Sequence, residues 1–243
     1  MFYALILVTV FLTSLLSGIV GMAGGMILMA VLVSLSSVAG AMILHGAVQA
    51  TANGSRAWFL RQHIRWDILP NYAVGAAIAL VAFMLVAIVP HPGVVLVLVG
   101  LFPWLARLSK RLKGLDVLNP LTAISCGVVV TSAQLLAGAS GPLLDVFYLN
   151  TPLTRHEIVA NKALTQTLGH LIKILYYGFF IGVAAQFDIW FIAIAMTVAV
   201  AGTRAGTLIL EKWSDVQFQK VSQIIILAIA TICLVQGIRL LLA

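Results

Sequence analysis

Between residues 162 and 173 the chain reads KALTQTLGHLIK, and Lys162, Gln166, His170 and Lys173 fall at i, i+4, i+8 and i+11. On an α-helix that spacing draws a single stripe. Amine, amide and imidazole in one row form a set of hydrogen-bond donors with positive charge available, which suits an anion. His45, Gln49, Asn53 and Arg56 repeat the same spacing earlier in the chain. A Lys or Arg at the centre of a membrane helix costs about 2.5–3.5 kcal/mol on insertion scales, so such residues face protein, water or a ligand. A plainer reading competes: Arg56 and Lys173 near helix ends would reach the interface, and Gln or Asn would bond neighbouring helices.

The elements that carry these stripes lie in a membrane. Of the 243 residues, 62% are hydrophobic and 9% charged, with a mean hydropathy of +1.13. Apolar runs of spanning length can be read at 3–34, 40–60, 68–89, 93–107, 121–149, 157–181, 187–208 and 221–242. Each approaches or exceeds the roughly 20 residues a spanning helix needs, and none shows the strict alternation of a barrel strand. The expected fold is an all-α polytopic membrane protein of about eight transmembrane segments. Its N-terminus, MFYALILVTVFLTS, has no basic n-region and reads as the first helix rather than a cleaved signal. Cys126 and Cys233 stand alone in apolar runs and read as packing residues, and His91 between Pro90 and Pro92 as a turn residue. With no P-loop, no CxxC pair and no His/Glu cluster at ligand spacing, neither cofactor nor metal is expected. The net charge of +7 reflects loops that set orientation, not nucleic-acid binding.

A shift of 117 residues sets Gly21 on Gly138, Gly24 on Gly141, His45 on Lys162, Gln49 on Gln166, Asn53 on His170 and Arg56 on Lys173. RWD (65–67) and QFD (186–188) align at a shift of 121. The chain therefore divides into two homologous halves, 1–116 and 117–243, of about four segments each. An even count makes the halves parallel repeats about an axis along the membrane normal, unless the long runs 3–34 and 121–149 are re-entrant hairpins.

Both long runs contain glycine clusters, GIVGMAGGMI (18–27) and LAGASGPLL (136–144). Helix breaks are expected at GMAGG and GASGP, since glycine and Pro142 disfavour a helix interior by about 1 and 3 kcal/mol. A half-helix beginning after each break would offer backbone N–H groups to an anion, from Gly24 and Gly25 in one half and Ser140 and Gly141 in the other. Alternatively the glycines only allow close packing. GASG also fits the G-x-S-G of an intramembrane serine protease with His170 as base, but the repeat pairs Ser140 with Ala23 and His170 with Asn53, so no dyad is shared.

The basic segments RQHIRWD (61–67) and RLSKRLKGLD (107–116) point to the cytoplasm, and counting eight crossings outward puts both termini there too. AAQFD, acidic yet assigned to the cytoplasm, fits that count poorly, as does the outside loop holding Glu211 and Lys212.

LLSGIVGMAGGMILM, GASGPLL, VANKALTQTLGHLIKILYYG and AGTRAG, in this order and spacing, resemble the sulfite exporter TauE/SafE family, also called the 4-toluene sulfonate uptake permeases. Pro142 stands where a third glycine is typical, and Asp145 adds a carboxylate to the second break. The resemblance implies a secondary carrier of sulfite, sulfonates and related small anions, not an enzyme, in the inner (plasma) membrane. The stripes reach the same class unaided: Gln49, Asn53, Arg56, Lys162, Gln166, His170 and Lys173, with the broken glycine segments, would hold a small anion between the halves during alternating access. His170 or His45 would take up a proton if transport is proton-coupled. An anion channel and a non-transporting assembly scaffold are the alternatives, and the exposed helix faces suit lipid or a second copy in a homodimer equally.

Overall fold

The computed structural model describes residues 1–20, 23–109, 115–148, 151–182, 186–210 and 215–242. These form ten α-helices: α1 (Phe2–Val20), α2 (Ala23–Leu35), α3 (Val38–Phe59), α4 (Ile68–Val86), α5 (Pro92–Ser109), α6 (Pro120–Ala137), α7 (Gly141–Val146), α8 (Arg155–Ile174), α9 (Ile189–Leu210) and α10 (Asp215–Leu242). A π-helical turn, Leu175–Phe180, extends α8. Five helices are long and apolar enough to cross a membrane: α1, α4, α6, α9 and α10. α2 and α5 give shorter apolar stretches, while α3 and α8, which carry the polar stripes, are not among the candidate spans.

Local chemistry sets the ends. The Ser37 hydroxyl accepts from Gly40 N–H at the start of α3, Asn119 caps α6 ahead of Pro120, and Thr154 and Glu157 close a capping box on α8. α6 stops at Gly138, whose φ of +72° suits glycine and whose missing Cβ leaves room for the Met29 and Met42 sulfurs.

The expected runs 3–34 and 121–149 each hold two helices. α2 packs back on α1, where a Cβ at Gly24 would collide with the Thr13 carbonyl. After α7 the Phe147 carbonyl accepts from Val117 N–H at 3.1 Å, which returns the chain to the start of α6. Gly21 and Met22 lie outside the described residues.

Helix directions follow from the contacts. Along α3, Gly46 meets Ile174 and Gly54 meets Thr167, and beyond its end His63 stacks on His156 with ring centroids 5.0 Å apart. The α8 numbers fall as the α3 numbers rise, so the pair is antiparallel. Gly93 against Leu241 and Gly100 against Ala230 make α5 and α10 antiparallel too. An axis along the membrane normal would leave each matched pair parallel, so the expected parallel relation does not hold. The physical reason is the pair of hairpins: each returns to the end of the bundle it left, which leaves three net passages along the bundle before α6 rather than four.

The same count separates the termini from the basic segment. One end of the bundle gathers Tyr3 against Phe191 (4.7 Å), Ser37 against Gln186, and Gly93 against Leu241. The other gathers the His63–His156 stack and Arg65, which forks onto Asp67 at 3.1 and 2.8 Å and lies 3.9 Å from Glu157. That fork holds the Asp67 carboxyl below its ordinary range. Both termini thus sit opposite RQHIRWD rather than beside it, correcting the expected common face. Lys110–Gly114, Glu211 and Lys212 lie outside the described residues.

Candidate functional site

α3 and α8 cross with their stripes face to face, and the crossing buries a polar cluster closed by α2, α6 and the turn before α7. At its centre is Lys173, 0% exposed. Its Nζ donates to the Gly138 carbonyl at 2.9 Å and to His45 Nδ1 at 2.8 Å. The other His45 nitrogen, Nε2, lies 2.9 Å from the Gly25 carbonyl. A carbonyl only accepts, so Nε2 carries the proton and Nδ1 is the bare acceptor for the lysine. One neutral tautomer satisfies both bonds.

A second chain of bonds runs through Gln134 on α6. Its Oε1 accepts from the Ser140 hydroxyl at 2.6 Å, while its Nε2 donates to the Gly138 carbonyl at 3.1 Å and to His170 Nδ1 at 2.6 Å. His170 therefore carries its proton on Nε2. The His45 and His170 rings lie 5.4 Å apart beside the lysine.

Donors outnumber acceptors here. Gln49 Nε2 is buried without a hydrogen-bond partner, and its amide lies against Gly25, where a Cβ would come within 3.3 Å of it. His170 Nε2–H faces no acceptor: the nearby Gln134 amide nitrogen is itself a donor. A charged Lys173 keeps one N–H beyond the two it has placed. Among the described residues no carboxylate bonds to the cluster. Unsatisfied buried donors are costly, roughly 1–3 kcal/mol each, and a small anion would accept from all three.

Of the residues expected in the site, the structure brings Gly25, Gln49, Ser140, His170 and Lys173 together. Asn53 stands behind Gln49, giving its Nδ2–H to the Gln49 carbonyl at 3.0 Å. The other expected residues stand outside. Gly24 serves the α1–α2 contact, Gly141 is the buried first residue of α7, and Lys162 is ion-paired with Asp145. Arg56 and Gln166 are half-buried, and no side-chain hydrogen bond joins either to another described residue. Ser140 gives its hydroxyl hydrogen to Gln134 and meets His170 only through that amide, so no Ser–His dyad forms.

Two members escaped the sequence-derived site. The stripe includes His45, but the spacing gives it only a proton to carry. Spacing does not single out Gln134, although an amide in the apolar α6, four residues before Gly138, is the signal that marks it. The isolated residues behave as expected: Cys126 and Cys233 are free and buried, and His91 Nδ1 accepts from Gly93 N–H at 3.1 Å within its turn.

No curated protein and no solved structure gives a significant match to the chain. The family model described as "Sulfite exporter TauE/SafE" matches residues 6–232, a stretch that takes in α2 to α9 whole and most of α1 and α10. A multi-pass helical protein with a buried, donor-rich, carboxylate-free cluster is in keeping with that match, and the chain belongs to the sulfite exporter TauE/SafE family.

Proposed function

We propose that the chain is a secondary carrier that binds sulfite or a small organosulfonate at the Lys173 cluster and moves it by alternating access. Family membership gives the coarser part, a membrane transporter of sulfite- or sulfonate-type anions. The observation that carries the finer part is the cluster itself: Lys173, His170 Nε2 and Gln49 Nε2 are buried donors around the α3–α8 crossing, and among the described residues no acid neutralises them. Complete burial of Lys173 favours a closed carrier over an open channel.

Helix pairing supports two halves of opposite orientation about this site. α3 and α8 start 117 residues apart (155 − 38), and α4 and α9 start 121 apart (189 − 68), the two shifts found in the sequence. α1 packs on α9 as α6 packs on α4, and α3/α8 and α5/α10 are self-paired, as an axis in the membrane plane requires. Each face then carries an equivalent closure. Ser37 N–H and its hydroxyl donate to Gln186 Oε1 at 3.0 and 2.7 Å on one face, and the Thr154–Glu157 cap meets Arg65 on the other. The same shifts relate them, since 154 − 37 is 117 and 186 − 65 is 121.

Arg61 and Arg65 put their face in the cytoplasm of an inner-membrane protein, which leaves both termini and the acidic Asp188 outside. A proton taken by His45 or His170 would balance the anion's charge. Transport that ignores an imposed pH gradient would remove that coupling.

Thermal melting of the purified protein with sulfite, methanesulfonate, sulfate and acetate tests the function. Stabilisation by the sulfur oxyanions is expected, rising as RT ln(1 + [L]/Kd), and absent in Lys173→Met. In the apo state that variant should stay within about 2 kcal/mol of wild type, because relief of a buried amine offsets the acceptor it orphans. A folded protein that responds to none of these anions would sink the carrier reading.

A further inference from the structure

The Lys162 end of the stripe lies away from the buried cluster and opens on a cavity of about 460 Å³, within the range of small-molecule sites. Arg107, Pro142, Asp145, Tyr148, Lys162 and Gln223 contribute to its wall, at the end of the bundle that carries Arg65. Lys162 is ion-paired with Asp145 across the α7–α8 contact, both side chains part-exposed at 22% and 33%. Arg107 adds a second cation to the same wall, which therefore carries two positive charges against the one carboxylate of Asp145. An excess of positive charge in a cavity walled mostly by apolar side chains is a built place for an amphipathic anion.

We propose that this cavity is a second, outer anion site, distinct from the Lys173 cluster, in which a sulfonate-type anion takes Lys162 from Asp145. Asp145 then acts as a tethered competitor: its carboxylate holds Lys162 while the cavity is empty and yields it to an entering anion. Eleven residues of α8 separate Lys162 from Lys173, about 16 Å at helical rise, too far for one small anion to bridge. Gln166 lies one turn inward on the same stripe, half-buried, which gives an anion leaving Lys162 its next donor on the way to His170. This inference rests on the carrier reading for the inner site but stands or falls separately.

Calorimetric titration with methanesulfonate, on protein whose melting temperature shows it is folded, separates the two. Wild type is expected to bind at two sites, Lys162→Ala to keep only the inner one, and His170→Asn only the outer one. Asp145→Asn should tighten the outer site by up to about fivefold, the ratio a part-exposed ion pair is worth. One site, lost in His170→Asn and unchanged in Lys162→Ala, would overturn the outer site and leave the carrier intact. Weaker outer binding in Asp145→Asn would overturn the competitor role. No binding to any folded variant would overturn both readings.

Discussion

Gln134 decides the chemistry of the cluster more than its neutral side chain suggests. It spends three bonds on Ser140, Gly138 and His170, and so fixes which histidine nitrogen presents a proton. Gln134→Glu keeps the shape but puts a carboxylate within reach of the buried donors. It should abolish stabilisation by methanesulfonate in a melting assay, and retention of the anion response would show that the histidine tautomer and local charge are irrelevant. This residue also marks the limit of the sequence. Lys173, His170 and Gln49 were legible because they recur at helical spacing in an apolar run. Gln134 sits alone on α6, and its importance comes from a contact 36 residues away with His170 that periodicity cannot reveal.

At the level of the elements, glycine lets helices approach until backbone meets backbone. At Gly75 a Cβ would run into the Ile124 carbonyl, and at Gly127 into that of Tyr72, so α4 and α6 are fixed by two small residues. Gly54 differs, since its nearest neighbour is the Thr167 side chain at 3.5 Å. Gly75→Ala should therefore lower the melting temperature, by the equivalent of about 1–3 kcal/mol for an overpacked contact, while Gly54→Ala should leave it within error. Equal effects would mean that the α4–α6 approach is not tight. Helix positions were readable from apolar length: every described helix falls within or overlaps an expected run. Direction was not, because run length does not tell a spanning helix from a hairpin. Only contacts such as Gly46 with Ile174 and Phe147 with Val117 fix it.

For the molecule as a whole, the two closures must open in turn if access alternates. Cysteines at 37 and 186, or at 63 and 156, joined by a short bifunctional thiol reagent should each stop transport in proteoliposomes, with recovery when a cleavable linker is reduced. In intact cells an impermeant reagent added outside should reach the 37/186 pair and not the 63/156 pair. Reaction at 63/156 instead would invert the orientation, and transport that survives either link would end the two-closure scheme. The poor fit of AAQFD to an eight-crossing count now has a cause. Asp188 shares a face with the termini, away from Arg61 and Arg65, once the two hairpins are counted as returns.

The partnership of α1 with α9 also has a consequence during synthesis. α1 finds its main neighbour, beginning at Ile189, only after the roughly 170 residues between them have emerged. At ribosomal speeds of about 5–20 residues per second, α1 waits on the order of 10–40 seconds with Gly18 and its neighbours turned to lipid. Its provisional partner in that interval is α2, folded back on it at once. The first hairpin is thus a holding device for a helix whose permanent seat has not yet been translated.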